Sequence, residues 1–429
     1  MEKLDFGKII DGETFPIGGF CGVGVDENHD KINDYYLSLL KESGINFIVS
    51  GIDYNEENGK RSVEAYGKYG IGHFIQHKSI SEITGDEPQE YVDKVVKDAV
   101  SEFRGEKCYI GPYFMDEPNR KGFKRLEKLY KAFKSLGVNG YPYVNLLPMI
   151  IEGPIDSDPN YTYEKYVEDF IKLTNPSFLS FDCYLFGTGL NNKMQINGNS
   201  MFQTFNVISY MSKKYNIPFW SFVACGGQWG SPIDAEDNYP NKAQFDIAVH
   251  ISLAFGAKGI EYFPFLQPKM FYDTAKHEYV NGMVGYNGTI NKWYYYAKEI
   301  NEYIKRNESL FLNSDHDGVM FIGGSQSYPA YGGVVVNGNK YKEIDYAESN
   351  HALIGIFTYG TMRVLYIVNN SFTETAYVGL RFDRNYNFTI KEMSFDRCPS
   401  EKELCKDKCL MINEIPCGEA IIVEYDLGE

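Results

Sequence analysis

EYVDKVVKDAVSEF (90–103) leads through a short polar loop into CYIGPYFM (108–115), and this pair of segments decides the fold. In the first, apolar residues recur every three or four positions, which lays one buried stripe along a helix. The second is a short apolar and aromatic run, as expected of a strand covered on both faces. The unit repeats along the chain. Strand patterns occur at FPIGGFC (15–21), INFIVSG (45–51), GHFIQH (72–77), CYIGPYFM (108–115), GYPYVNLLP (140–148), SFLSFDCYLF (177–186), IPFWSFVAC (217–225) and KGIEYFPF (258–265). Helical patterns fall between or after them at 34–44, 90–103, 123–137, 164–174, 201–215, 243–256 and 290–306. Gly44, Gly137 and Gly256 stand where a left-handed residue ends a helix before the next strand.

Strands alternating with helices form either an open doubly wound sheet or a closed barrel. No G-x-G-x-x-G opens a helix after the first strand, and eight strands is the number a barrel requires. The expectation is an α/β protein, a (β/α)8 TIM barrel over residues 1–312, with its active site at the C-terminal ends of the strands. After residue 313 the pattern changes to alternating apolar and polar residues with Gly/Asn turns, as in HALIGIFTYGTMRVLYIVNNS (351–371). That reads as an antiparallel β-sandwich accessory domain over 313–429, with the boundary near NESLFLNSDHDG (307–318).

The net charge of −16 argues against nucleic acid or an anionic membrane as a partner and suits a neutral carbohydrate. With 35 Tyr and 29 Phe, some rings must lie on the surface or line a cleft. The chain has no P-loop, H-E-x-x-H or G-x-S-x-G, and its seven histidines lack ligand spacing, so no metal and no cofactor is expected. No apolar run reaches the ~18 residues that span a bilayer. The start, MEKLDFGKII, lacks a secretory apolar segment, which reads as cytoplasmic, or as secreted if an export signal has been removed. Cys21, Cys108, Cys183 and Cys225 sit in apolar runs as expected buried thiols. Cys398, Cys405, Cys409 and Cys417 lack paired C-x2-C spacing and read as disulfides or free thiols rather than a metal site.

Read at the strand ends, strand 4 offers Asp116-Glu117-Pro118, two carboxylates suited to acid/base work or to the N-terminus of a following helix. Strand 6 places Asp182 in an apolar run, costly unless it performs chemistry or is hydrogen-bonded to backbone or tyrosine hydroxyls. Strand 8 places Glu261 nearer its middle, as a catalytic acid or a structural partner for a Lys or Arg. Catalytic candidates are therefore Glu117, Asp182 and Glu261. Asp116, Asn145, Tyr184, Trp220, Trp229 and Tyr262, with Phe265, are the substrate-lining candidates; barrel packing is the alternative for each ring. Trp220 and Trp229 are placed at the strand-7 rim.

Asp116-Glu117-Pro118 resembles the Asn-Glu-Pro motif of clan A glycoside hydrolases. The run Ala254-Phe255-Gly256-Ala257-Lys258-Gly259-Ile260-Glu261-Tyr262-Phe263 resembles the strand-8 region of the β-galactosidase-like barrels of glycoside hydrolase family 42. Ile217-Pro218-Phe219-Trp220 and the helix carrying Asn301 fit the same group. The resemblance implies a β-galactosidase-like glycosidase acting on a carbohydrate, with Glu117 as general acid/base. It also implies a nucleophilic Glu at the end of strand 7, and none stands in Trp220–Cys225. Three readings follow. Asp182 or Glu261 replaces that Glu, or Asp234 or Glu236 on the strand-7 loop does, or the barrel is a non-catalytic glycan binder. Carboxyl separation discriminates a retaining pair, about 5–5.5 Å apart, from an inverting one at about 6.5–9.5 Å.

Overall fold

The computed structural model describes residues 7–10, 12–24, 31–149, 158, 160–188, 194–196, 198–226, 240–269, 282–323, 331–392, 400–402 and 407–428. Eight strands close into a parallel barrel: β1 (Ile17–Phe20), β2 (Phe47–Asp53), β3 (Gly72–Gln76), β4 (Tyr109–Asp116), β5 (Tyr143–Leu146), β6 (Leu179–Phe181), β7 (Phe219–Ala224) and β8 (Gly259–Phe263). Closure is made by β8 beside β1, with Gly18 opposite Glu261.

One long helix follows each strand: α1 (Asp34–Glu42), α2 (Glu57–Tyr69), α3 (Gln89–Phe103), α4 (Phe123–Ser135), α5 (Tyr163–Thr174), α6 (Gly198–Tyr215), α7 (Lys242–Ala254) and α8 (Lys292–Arg306). Their starts are chemically marked. Asn33 caps α1 by accepting from the Tyr35 and Tyr36 N–H groups, Thr162 caps α5, and Asn241 with Gln244 forms a capping box on α7. Gly44, Gly137 and Gly256 take φ values of 87°, 58° and 93°, as their helix-ending role requires.

Period-two alternation sorts the strand side chains. Phe178, Ser180 and Asp182 around β6, Trp220 and Phe222 on β7, Tyr143 and Asn145 on β5, and Glu261 and Phe263 on β8 point into the barrel. Their alternates, such as Phe181, Phe219 and Tyr262, pack outward against Phe205 of α6 or Phe245 of α7. The interior is layered. Phe47, Phe74, Phe178 and Trp220 fill its N-terminal floor, with Trp220 and Phe178 stacked at 4.0 Å. Above that floor Tyr143, Ser180, Glu261 and Asn145 bring polar atoms into the interior.

The C-terminal strands are β9 (Asp315–Ile322), β10 (Val335–Val336), β11 (Ile344–Ser349), β12 (Ala352–Tyr359), β13 (Met362–Asn369), β14 (Ala376–Phe382), β15 (Phe388–Glu392), β16 (Ser400–Lys402), β17 (Cys409–Ile415) and β18 (Ala420–Asp426). They form a sheet in the order β10-β9-β12-β13-β18-β15-β16 and a second of β11-β14-β17, antiparallel apart from the β9–β10 pair. One face of the large sheet, including Ile354, Ile356, Leu365 and Val423, packs on the small sheet. The other, with Leu353, Phe357, Val364, Tyr366 and Ile422, joins the barrel core. Tyr366 also meets the His250 ring of α7 in a 2.6 Å hydrogen bond.

Gly355 lies at this junction. A Cβ there would stand 2.5 Å from the Ala254 carbonyl oxygen and 2.8 Å from its Cα, both backbone atoms that cannot swing aside. Gly355→Ala is therefore expected to cost about 1–3 kcal/mol, the range for overpacking, read as a lowered urea midpoint. An unchanged midpoint would mean the two layers are not held at this spacing.

Among the described residues no disulfide joins the cysteines. Cys21, Cys108, Cys183 and Cys225 are buried; Cys409 and Cys417 are partly exposed, and Cys398 and Cys405 lie outside the described residues. Among the described residues no cluster of His, Cys, Asp or Glu could hold a metal, and no helix is long and apolar enough to cross a membrane.

Candidate active site

The C-terminal ends of β4, β5 and β6 bring four polar side chains together. Asn145 is the hub. Its Nδ2 donates to Asp116 Oδ1 at 3.0 Å and to Asp182 Oδ1 at 3.1 Å, spending both amide hydrogens. Two acceptors on one planar NH2 group stand roughly 5 Å apart, given near-linear hydrogen bonds. Asp182 shares a further hydrogen bond with the Glu117 carboxyl.

Glu117 itself is held in a left-handed conformation, φ 43°, a costly one for a residue with a Cβ. Its N–H donates to the Asn145 carbonyl at 2.9 Å, and the Tyr166 hydroxyl donates to the next carbonyl, that of Pro118, at 2.6 Å. A 3-10 turn, Arg120–Gly122, runs into α4 at Phe123, and its N-cap is Asn119, whose side chain accepts from the Gly122 N–H.

Charge in the cluster is one-sided. Burial, then the Glu117 charge and hydrogen bond, raises the Asp182 carboxyl well above the usual range. Partial removal from water pushes Asp116 up to about 6, against the pull of the Asn145 amide. Among the described residues no lysine or arginine hydrogen-bonds or ion-pairs with Asp116, Glu117 or Asp182.

An aromatic layer from β1, β4, β7 and β8 also lines the interior. The Phe20 ring contacts Tyr113, Phe222 and Phe263 at centroid distances of 6.5, 6.0 and 5.7 Å, and Tyr184 reaches Phe263 at 6.3 Å.

The sequence-predicted residues distribute as follows. Glu117, Asp116, Asn145, Asp182 and Tyr184 share the mouth. Glu117 is exposed, and Asp182 beside it is buried. Trp220 is not at the rim: it is 2% exposed, near the N-terminal end of β7, and forms part of the floor. Tyr262 is on the outside of the barrel, buried against Phe245 and donating to Asn301 at 2.6 Å, because the side chain next to an inward Glu261 must face outward. Phe265 is fully buried. Glu261 sits a layer below the mouth, bonded to hydroxyls rather than to a Lys or Arg. Trp229, Asp234 and Glu236 lie outside the described residues. The residues missed by sequence reasoning are Phe20, Tyr113, Tyr143, Ser180, Phe222 and Phe263. Counting by twos from Asp182, Asn145 and Glu261 reaches Ser180, Tyr143 and Phe263.

No protein-family model matches the sequence, and no curated protein matches it. Solved structures do resemble it. A GH42 β-galactosidase from G. stearothermophilus superposes with a TM-score of 0.62 at 8% identity, over 96% of this chain and 98% of that one. A glycoside hydrolase family 5 protein from Bacteroides vulgatus ATCC 8482 gives 0.58 at 12%, over 97% and 89%. The fold is that of glycoside hydrolase barrels. A third structure, the β-galactosidase of psychrophilic Marinomonas ef1, gives 0.53 at 8% over 71% of this chain, which spans 63% of that enzyme's chain. At such identities the likeness is one of fold, and the chemistry rests on the mouth itself.

Proposed function

We propose that the protein is a glycoside hydrolase acting on an oligosaccharide or glycoconjugate, with Asp182 and Glu117 as a coupled acid and Asp116 as the opposing carboxylate. The observation that carries this reading is the Asn145 amide holding Asp116 and Asp182 from one nitrogen. Given near-linear hydrogen bonds, the two bonded oxygens stand roughly 5 Å apart, close to the separation of about 5–5.5 Å that retaining enzymes use. Glu117 and Asp182, in hydrogen-bond contact, are too close to be the flanking pair and act as one unit.

The proton affinities divide the roles. Burial and the neighbouring Glu117 raise the Asp182 carboxyl well above the usual range and so favour its protonated form, and the exposed Glu117 beside it is the path by which that proton reaches the leaving oxygen. Asp116, at about 6, is ionised at pH 7 and faces the positive charge that develops on the sugar. A mouth with several carboxylates and, among the described residues, no lysine or arginine paired with them favours such a transition state over a neutral ground state. The aromatic layer supplies flat faces for sugar C–H groups.

The test is turnover on a panel of aryl glycosides, with β-galactosides first because of the resemblance to family 42. Wild type is expected to cleave at least one, with retention of configuration. Since Asp116 must be ionised, kcat/KM is expected to rise with pH through about 6 and to fall again where Asp182, raised well above the usual carboxylate range, loses its proton. A rate independent of pH between 4 and 8 would contradict the assignment.

A second reading, a glycan-binding barrel without catalysis, is favoured by β7, whose residues Phe219–Ala224 include no carboxylate. Glycan binding without turnover of any panel member would establish it.

A further inference from the structure

We propose that Glu261 is a positioning residue that sets the protonation of the mouth carboxylates through a buried hydrogen-bond chain, Glu261–Ser180–Asn145, without touching substrate. The inference rests on the functional reading above.

Glu261 is 1% exposed and lies one layer below the mouth. Ser180 Oγ donates to its Oε2 at 2.6 Å and the Tyr143 hydroxyl donates to its Oε1 at 2.7 Å; the two hydroxyls are 2.9 Å apart. Ser180 Oγ also stands 3.4 Å from Asn145 Oδ1, and the other end of that amide holds Asp116 and Asp182. The path from Glu261 to the mouth therefore runs through the Ser180 hydroxyl, whose single hydrogen can serve either Glu261 Oε2 or Asn145 Oδ1.

The surroundings leave Glu261 few other partners. β1 contributes Gly18, where a Cβ would come within 2.9 Å of the Glu261 Cγ, and β2 contributes Phe47. β5 and β6 contribute Tyr143, Asn145 and Ser180, and β7 places Phe222 beside it in register. The charged groups above it are Asp116 on β4, then Asp182 and Glu117. Among the described residues no lysine or arginine bonds to it. A buried acid of this kind costs free energy if it does nothing. Burial pushes Glu261 up to about 7, with the Asp116 charge adding to the rise and the two hydroxyls opposing it.

The coupling has a defined sign. When Glu261 is ionised, both hydroxyl hydrogens are committed to it and its charge disfavours ionisation of Asp116 and Asp182. When Glu261 takes a proton, it can donate to Ser180 Oγ, releasing the serine hydrogen toward Asn145 Oδ1. That polarises the amide and strengthens its N–H bonds to the two aspartates, favouring their charged forms. Charge and hydrogen bonding thus act in the same direction, and the three acids titrate as one anti-cooperative set.

The experiment is a carboxyl titration of the full chain by infrared difference spectroscopy, comparing wild type with Glu261→Gln and Ser180→Ala. Glutamine keeps an acceptor and a donor for the two hydroxyls, and thermal melts check that the fold is retained. In Glu261→Gln the Asp116 and Asp182 midpoints are expected to fall by roughly 0.5–1 pH unit, a modest shift for one neutralised neighbour. The acid limb of kcat/KM is expected to move with them while KM stays within about twofold. Ser180→Ala, which breaks the chain while Glu261 remains, is expected to separate the Glu261 transition from the other two. Superimposable Asp116 and Asp182 transitions in wild type and Glu261→Gln would overturn the inference. The titration needs no turnover, so an inactive wild type would overturn the glycosidase reading and leave this result to stand or fall separately.

Discussion

Asp182→Asn is expected to lower kcat by about a hundred- to ten-thousand-fold on the aryl glycoside that wild type cleaves best, the range for loss of a positioned proton donor. The substitution is conservative where structure is concerned. The asparagine oxygen can still accept from Asn145 Nδ2, and the side chain keeps its volume within the apolar run. What is lost is the proton and the charge shared with Glu117. The loss is expected to deepen as the leaving group becomes more basic, because a poor leaving group needs protonation most. Glu117→Gln is expected to follow the same trend. Asp116→Ala differs: its rate is expected to fall on every substrate irrespective of leaving group, and added azide, a small anionic nucleophile, is expected to restore part of it. Asp182→Asn within twofold of wild type would remove Asp182 from the mechanism.

The second large effect concerns stability. Arg363 on β13 is 3% exposed and joins the two sheets of the sandwich. Its Nε and Nη2 donate to the Glu343 carboxylate at 3.0 and 2.9 Å, and its Nη1 bonds Asp317 on β9 and the Thr358 hydroxyl on β12. Lys342 adds an ion pair to Asp317 at 2.7 Å. Removing the guanidinium takes both of its bonds from the mostly covered Glu343 carboxylate and leaves Asp317 with Lys342 and the Thr358 hydroxyl. Arg363→Ala is therefore expected to cost about 3–5 kcal/mol, the range for breaking one partner of a buried pair. Urea denaturation measures it. Because the large sheet also packs on the barrel, through Tyr366 and its neighbours, the loss is expected to appear in the unfolding of the whole chain. A cost below about 1 kcal/mol would make the cluster a surface-type ion pair.

The barrel was legible because its signal is a count: eight apolar runs, seven recognisable helices and glycines at the helix ends. Helix α2 was not. Its sequence, ENGKRSVEAYGKY, carries one asparagine, two glycines and a serine, so local propensity argues against it. It forms because packing overrides propensity. Val63 and Tyr66 are buried, and Gly59 fits where a Cβ would stand 2.1 Å from the Asp53 carbonyl oxygen. In the mouth, the strand ends gave Asp116, Glu117, Asn145, Asp182 and Tyr184, since position along a barrel strand translates directly into depth. Trp220 and Tyr262 were misplaced for two separate physical reasons. Trp220 has the right parity but starts its strand, which puts it on the floor; Tyr262 has the right depth but the wrong parity. The hydroxyls of Tyr143 and Ser180 carry no sequence signal of their own, and their importance appears only when β5, β6 and β8 are seen to converge on Glu261.

The most direct test of the central claim is a crystal structure of Glu117→Gln with an oligosaccharide bound. The expected result is a sugar ring resting on the aromatic layer of Phe20, Tyr184 and Phe263. Its anomeric carbon is expected between the Asp116 carboxylate and the side chains of residues 117 and 182. A sugar bound away from this mouth, or one whose anomeric carbon approaches none of these carboxyls, would contradict it.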